Sequence, residues 1–186
     1  MGALDDDDEA PRAGTAAPLI VTAELPAVFQ TRVDALRRAH YPAERNHLAA
    51  HVTLFHALPP FVESEARGLL AALAAEAAPP EALLAAVMDL GTGTALRIES
   101  AAMLDLRDLI AERFHGLLTR QDQHAPRLHV TVQNKVLRAE AKALQAALAS
   151  AFQPESFAFA GLALHRYKGG PWESVGRWSF RGRFRR

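Results

Sequence analysis

The chain has 186 residues, 49% of them apolar, and its 21 Lys and Arg balance its 21 Asp and Glu. Zero net charge argues against a protein that coats nucleic acid or a membrane surface. The absence of cysteine excludes disulfides, thiol nucleophiles and cysteine-ligated metal sites. No apolar run approaches the roughly 20 residues of a bilayer helix, and the acidic start differs from a basic leader. We therefore expect a soluble cytoplasmic protein, acting as a monomer.

Charge is concentrated at the two ends of the chain. Residues 1–17 hold five acidic residues and no apolar periodicity, which predicts a disordered acidic tail. Residues 181–186 hold four arginines, either as a solvated tail or as an element that helps to hold a phosphate backbone. We expect residues 18–186 to form a single domain.

Short apolar segments alternate with amphipathic ones in the first half. A strand is predicted at 19–23, because this run is rich in Ile and Val. Proline positions bound two helices, one from residue 26 to before Pro42 and the other at 62–77. Alternation predicts a strand at 51–55. A further strand at 83–90 leads into a glycine turn at 91–93.

The second half repeats this plan. It predicts a strand at 95–100, an amphipathic helix at 105–118, a strand at 129–132, a helix at 139–152, and a final hairpin of 157–167 and 173–180. In both halves a histidine lies 24 residues after the helix start, at 27 or 105. A duplicated α+β unit is indicated, with pseudo-symmetric lobes of about 18–90 and 91–180 around a central cleft.

The strongest motif is a repeated tetrapeptide, His–apolar–Thr–apolar. It occurs once in each half, as His51-Val52-Thr53-Leu54 and His129-Val130-Thr131-Val132. Side chains at i and i+2 share one face of a strand, so each His projects together with its Thr. A pseudo-twofold axis would bring both pairs to one cleft.

Two imidazoles at one reacting centre can divide proton transfer between them. One ring removes a proton while the other supplies one, and a reference pKa near 6.5 allows both states at neutral pH. A threonine hydroxyl can donate to a non-bridging phosphoryl oxygen. This scheme needs neither a metal nor a cofactor.

The two tetrapeptides resemble the tandem motifs of the 2H phosphoesterase superfamily, also called the 2′-5′ RNA ligase-like family. The likeness covers about residues 19–180 and implies two lobes of antiparallel sheet flanked by helices. It also implies metal-independent opening of a 2′,3′-cyclic phosphate, on an RNA terminus or a small nucleotide, to a 2′-phosphate, and in some members reversible 2′-5′ ligation. Carried over, His51 and His129 are the acid–base pair, and Thr53 and Thr131 are phosphate donors. We expect His129 to activate water and His51 to protonate the leaving oxygen.

Five further residues are candidates for substrate binding. Phe55 and Gln133 lie four residues beyond the motif histidines, where they could contact a base or a sugar, or simply pack the cleft wall. Lys135 could balance phosphate charge or be solvated. Tyr167 and Trp172 flank a glycine turn, where aromatics beside cations suit nucleotide stacking or cross-strand packing.

Two other interpretations remain open. A zinc site from His47, His51 and His56 would need a helix, which the β pattern from His51 disfavours. A non-catalytic RNA- or nucleotide-binding module is the alternative to an enzyme, and a metal-dependent hydrolase ranks after it. The other histidines have no partner pattern and are expected to be ordinary surface or helix-end residues: His40, His115, His124 and His165.

Overall fold

A computed structural model describes residues 17–183 of the chain. Most of the predicted acidic tail and the last three residues of the basic end lie outside this range. Within it, no helix is long and apolar enough to cross a membrane. The described elements, in chain order, are β1 (Leu19–Glu24), α1 (Ala27–His40), β2 (Val52–Leu58), α2 (Glu63–Glu76), β3 (Glu81–Asp89), β4 (Thr94–Glu99), α3 (Ala101–Arg113), β5 (His129–Gln133), α4 (Arg138–Ala151), β6 (Glu155–Ala158), β7 (Gly161–Tyr167) and β8 (Trp172–Ser179).

The strands form two antiparallel sheets of four strands each. Their orders are β2-β1-β7-β8 and β5-β4-β3-β6. The two strands that carry the His–Thr motifs have matching places, because β2 and β5 each occupy an edge of their sheet. These two edge strands contact each other. The predicted α+β fold, with two lobes of antiparallel sheet and flanking helices, is confirmed.

The two sheets do not correspond to the two halves of the sequence. Strand β3 of the first half pairs in the second sheet, and β7 and β8 of the second half pair beside β1. The predicted lobe halves, 18–90 and 91–180, are therefore corrected to two sheets that exchange strands. A strand can join an antiparallel sheet whether it comes from the first or the second half of the chain, and its composition does not indicate which sheet it joins.

The predicted hairpin strand 157–167 is also wrong, because it contains two strands in different sheets. The break lies at Phe159, which is fully buried and donates its backbone N–H to the Pro80 carbonyl at 2.9 Å. The next N–H, of Ala160, donates to the Glu24 carbonyl at 2.8 Å. The chain thus passes from one sheet to the other between β6 and β7, with the Phe159 side chain buried in the core and Ala160 exposed.

Helix α3 begins four residues earlier than predicted and ends at Arg113. Its N-cap is Ser100, whose hydroxyl accepts a hydrogen bond from the Met103 backbone N–H at 3.2 Å. After the helix, Gly116 takes a φ of +85° and turns the chain. Leu109 and Leu117, which fall on the apolar face of the amphipathic helix predicted at 105–118, are exposed. The equal 24-residue spacing of the two halves is therefore not kept.

One continuous core joins both sheets and the helices, with Phe55, Phe114 and Phe159 among its fully buried side chains. Helix α2 covers β7 and β8, and α4 covers β3 and β4. Helix α1 instead contacts β5 of the opposite sheet. Through these contacts the core holds the two motif strands against each other.

Replacing Ser100 with alanine should destabilise the protein, because its hydroxyl caps α3 and also donates to the Glu81 carbonyl at 2.6 Å. We expect a loss of about 1–2 kcal/mol in the free energy of unfolding, measured with urea. Ser150→Ala, in the exposed last turn of α4, is the control and should change stability by less than about 0.5 kcal/mol. Equal losses in both variants would contradict the cap.

Candidate active site

Each motif histidine lies where the chain enters its edge strand. His51 immediately precedes β2, and His129 is the first residue of β5. Both rings are half-buried. Since β2 and β5 contact each other, the fold brings the first residues of two strands from different sheets to one region.

Both imidazoles make the same hydrogen bond. Nδ1 of His51 lies 2.8 Å from the carbonyl oxygen of Ala49, and Nδ1 of His129 lies 2.7 Å from that of Arg127. In each case the acceptor is two residues earlier in the chain. A carbonyl only accepts, so Nδ1 carries the proton and Nε2 of each ring is the atom that can exchange one.

A β-bulge lies at the last residue of the first motif. Thr53 pairs with Thr22 and Phe55 pairs with Val21, so Leu54 is an extra residue on β2. A bulge changes the alternation of side chains. As a result, both Leu54 and Phe55 are buried in the core.

The bulge corrects the expectation for Phe55. Its side chain is 0% exposed and packs under the guanidinium of Arg107, 4.6 Å from the ring centroid, so it cannot stack on a base. His56 instead shares a cavity with Thr53. Phe55 therefore packs in the core.

Strand β5 carries the equivalent bulge. Thr131 pairs with Ala95 and Gln133 pairs with Thr94, leaving Val132 as the extra residue. Gln133 is 6% exposed, and its side-chain oxygen accepts a hydrogen bond from the Thr94 hydroxyl at 3.2 Å. The structure thus gives Gln133 a buried packing position rather than a place against a sugar or phosphate.

The motif residues line two cavities. Thr53 and His129 line one of about 290 Å³, and His51 and Trp172 line another of about 550 Å³. Thr131 is only 4% exposed, and its carbonyl accepts a hydrogen bond from Nη1 of the buried Arg37 at 2.9 Å. This hydrogen bond fixes β5 to α1.

Two of the predicted binding residues lie outside both cavities. Lys135 is exposed in the turn after β5, with a φ of +56°. Tyr167 pairs with Trp172 across the β7–β8 hairpin and is half-buried. Trp172, in contrast, lines the larger of these cavities beside His51. Its indole lies 4.5 Å from the His51 ring, centroid to centroid, with a tilt of 52°.

His165 is a cavity residue, although the sequence analysis predicts an ordinary surface histidine. It lies 5.3 Å from the Trp172 ring, and a hydrogen bond of 3.1 Å joins its Nε2 to the Thr22 hydroxyl. Burial, followed by the nearby charges of His51 and Arg177, lowers its pKa to about 4. At neutral pH the ring is uncharged. The residues next to His165 in the chain do not indicate this position, because Thr22 and Trp172, which contact the ring, come from other strands.

His56 and Asp122 were also missed. Asp122 is buried in the segment between α3 and β5, and one carboxylate oxygen lies 3.0 Å from Nδ1 of His56. Burial opposes ionisation of Asp122, but hydrogen bonds from the His56 side chain and backbone, and from Ala57, hold its pKa below the usual value. The two residues are 66 positions apart, so only the fold brings them together.

No group of three His, Asp or Glu side chains in residues 17–183 is arranged to hold a metal ion. His47 lines the larger cavity and His56 the smaller one. The expectation of metal independence stays a prediction.

The lowered pKa of His165 predicts a pH-dependent stability. The unfolded chain binds a proton at this ring near pH 6.5 and the folded chain only near pH 4, so stability should fall as pH drops between them. Urea unfolding should show a smaller fall for His165→Gln than for the wild type, while His115→Gln keeps the wild-type fall. Equal falls in the wild type and His165→Gln would refute the buried neutral ring.

The chain matches the model of a known protein family over most of its length. The family model of the 2′-5′ RNA ligase superfamily matches residues 25–171, which include both motifs. A search of curated proteins found no match.

Solved structures share the fold at low sequence identity. TT0787 of Thermus thermophilus is 17% identical, with a TM-score of 0.58, over 89% of this chain and 98% of that one. E. coli LigT complexed with NADP+ is 17% identical, with a TM-score of 0.55, over 90% and 99% of the two chains. E. coli LigT complexed with 3′-AMP is 16% identical, with a TM-score of 0.52, over 89% and 99%. The family match and the shared fold together show that the chain belongs to the 2′-5′ RNA ligase superfamily, the 2H phosphoesterases.

Proposed function

We propose that the protein is a metal-independent phosphodiesterase that opens a 2′,3′-cyclic phosphate, on an RNA terminus or a small nucleotide, to a 2′-phosphate. The observation that carries this proposal is the matched pair of hydrogen bonds from Nδ1 of His51 and His129 to backbone carbonyls. Because Nδ1 is engaged in both rings, proton transfer falls to the two Nε2 atoms, on two edge strands that contact each other.

In the proposed reaction His129 is the base. Its Nε2 takes a proton from water, whose oxygen attacks phosphorus. The bond between phosphorus and the 3′ oxygen breaks, and Nε2–H of His51 protonates that oxygen. The products are a 2′-phosphate and a 3′-hydroxyl, and the proton balance is restored when the two rings exchange protons with solvent.

The contact between His51 and Trp172 supports His51 as the acid. A positively charged group within about 6 Å of an indole is attracted to its π system, and the rings here lie 4.5 Å apart. An imidazolium at His51 would therefore have a favourable neighbour in the indole. The neutral His165 adds no competing charge at pH 7.

The motif threonines complete the proposed site. Thr53 lines the cavity that contains His129, so its hydroxyl can donate to a non-bridging oxygen of the phosphate. Thr131 is nearly buried on β5, and the hydrogen bond from Arg37 to its carbonyl holds that strand in position.

A nucleotide as the substrate class is supported from two directions. The cavity beside Trp172, about 550 Å³ in volume, is large enough for a nucleoside and has an aromatic side chain in its lining. LigT, which shares the fold, has been solved in complexes with 3′-AMP and NADP+. If a ribose 5′-hydroxyl replaces water as the nucleophile, the same steps join two RNA ends through a 2′-5′ linkage, which would fit the family's name.

Replacing either histidine should nearly abolish the proposed activity. For His51→Ala and His129→Ala we expect kcat for a 2′,3′-cyclic nucleotide to fall about 10²–10⁴-fold, because each removes one proton-transfer group. The assay contains a chelator and identifies the product by phosphate position. His115→Ala, on the exposed turn after α3, is the matched control and should keep wild-type activity.

Two outcomes would overturn the proposal. Undiminished turnover in either histidine variant would exclude paired-histidine catalysis. Tight nucleotide binding by the wild type without product would favour a non-catalytic binding module instead.

The pH dependence of kcat/KM should be bell-shaped. One imidazole must be neutral to accept a proton and the other protonated to supply one, so activity is lost at both low and high pH. The residual activity of His129→Ala should no longer fall at low pH, because the base that is protonated there has been removed. The residual activity of His51→Ala should no longer fall at high pH, because the acid that is deprotonated there has been removed. Identical profiles for the two variants would contradict the assignment of roles.

A further inference from the structure

The smaller cavity extends beyond the proposed reacting centre. Thr53 and His129 line one part of it, and His56 lies three residues further along β2. At about 3.3 Å per residue, and with the bulge at Leu54 between them, the backbone at His56 is at most about 10 Å from that at Thr53. His56 is therefore placed for a different part of the substrate from the phosphate that reacts.

His56 is held in place from several sides. Asp122 accepts from Nδ1 of His56 at 3.0 Å, from its backbone N–H at 2.9 Å, and from the backbone N–H of Ala57 at 3.0 Å. The Thr119 hydroxyl donates to the same carboxylate at 3.2 Å. Arg107 donates to the backbone carbonyls of Asp122 and His124, which fixes the segment that carries Asp122.

This arrangement makes the cavity suitable for an anion. The Asp122 side chain is only 1% exposed, and its carboxylate accepts hydrogen bonds from β2, whereas the His56 side chain is 27% exposed. A buried carboxylate at this distance stabilises a positive charge on the ring. The other ionisable groups that line the cavity are His124, Arg127 and His129, which are neutral or cationic.

We propose that His56, positioned by Asp122, binds a second phosphate group of the substrate, beyond the phosphate that reacts. This inference rests on the proposed function, since it places the reacting phosphate between the motif histidines. Two substrates supply such a group: a free nucleotide with a 5′-phosphate, and an RNA end with a backbone phosphodiester. Both present the same oxygen acceptors to an imidazolium.

The test measures binding of product-like ligands by calorimetry, so that it does not depend on turnover. The probes are a nucleoside 2′-monophosphate, the matching nucleoside 2′,5′-bisphosphate, and a dinucleotide with an internal phosphodiester and a terminal 2′-phosphate. Wild-type protein should bind at least one of the two probes with a second phosphate about tenfold or more tightly than the monophosphate. Whichever probe gains affinity identifies the source of the second phosphate.

His56→Gln should abolish that gain and keep the affinity for the monophosphate. His115→Gln, exposed and outside the cavity, is the matched control and should keep the gain. Circular dichroism checks that both variants are folded. Equal wild-type affinity for all three probes, or an unchanged gain in His56→Gln, would overturn the proposal.

The outcome is separable from that of the proposed function. A gain that depends on His56 in a protein that turns over no cyclic phosphate would support the second-phosphate site and refute the catalysis. Turnover of the cyclic phosphate without such a gain would support the catalysis and refute the second-phosphate site.

Discussion

The site depends on one local interaction, repeated in each sheet: an imidazole N–H donated to the carbonyl two residues earlier. For His51 the acceptor is Ala49, and for His129 it is Arg127. The bond selects one tautomer and orients the ring without using a second side chain. It requires only that the histidine lie at the start of an edge strand. The rest of the fold brings two such strand starts together.

That juxtaposition comes from contacts between the sheets rather than within them. Helix α1 packs on β5 of the opposite sheet, and its buried Arg37 donates to the Thr131 carbonyl at 2.9 Å. The same guanidinium donates to Asn46 at 2.8 Å and to the Leu48 carbonyl at 3.2 Å. Charge-assisted hydrogen bonds of this kind are strong and directional when they are buried. Arg37 thus ties the segment leading to His51 to the strand that carries Thr131.

The sequence was sufficient for most of the strands, the motif and the family, because these depend on local alternation and on residue types at fixed spacing. It did not separate β6 from β7, which were predicted as one strand. It failed where one extra residue altered that alternation. Regular alternation along the strands predicts Phe55 and Gln133 on the cleft side, but a bulge at the last residue of each motif places both side chains in buried positions. No feature of the composition marks those bulges.

Long-range neighbours were beyond sequence reasoning for a different physical reason. His56 and Asp122 are 66 residues apart, and Thr22 and His165 are 143 apart. The residues next to each histidine in the chain do not indicate these partners, because the packing of other elements brings them together. Helix α3 illustrates a third limit, because Ser100 could be recognised as a cap only once its hydrogen bond to Met103 was seen.

The exchange of strands between the sheets has a consequence for how the chain folds. In the first sheet, β1 lies between β2 and β7. Strand β2 follows β1 closely in the chain, whereas β7 is the last but one of the described strands. A ribosome-bound chain that ends before Gly161 leaves one edge of β1 unpaired, with its apolar side chains and backbone amides uncovered. Closing that edge brings together segments more than 130 residues apart, such as Ile20 and His165, and contacts of such high order form slowly. The first sheet is therefore completed only after β7 and β8 have been synthesised, and the cavity that Trp172 lines exists only from then on.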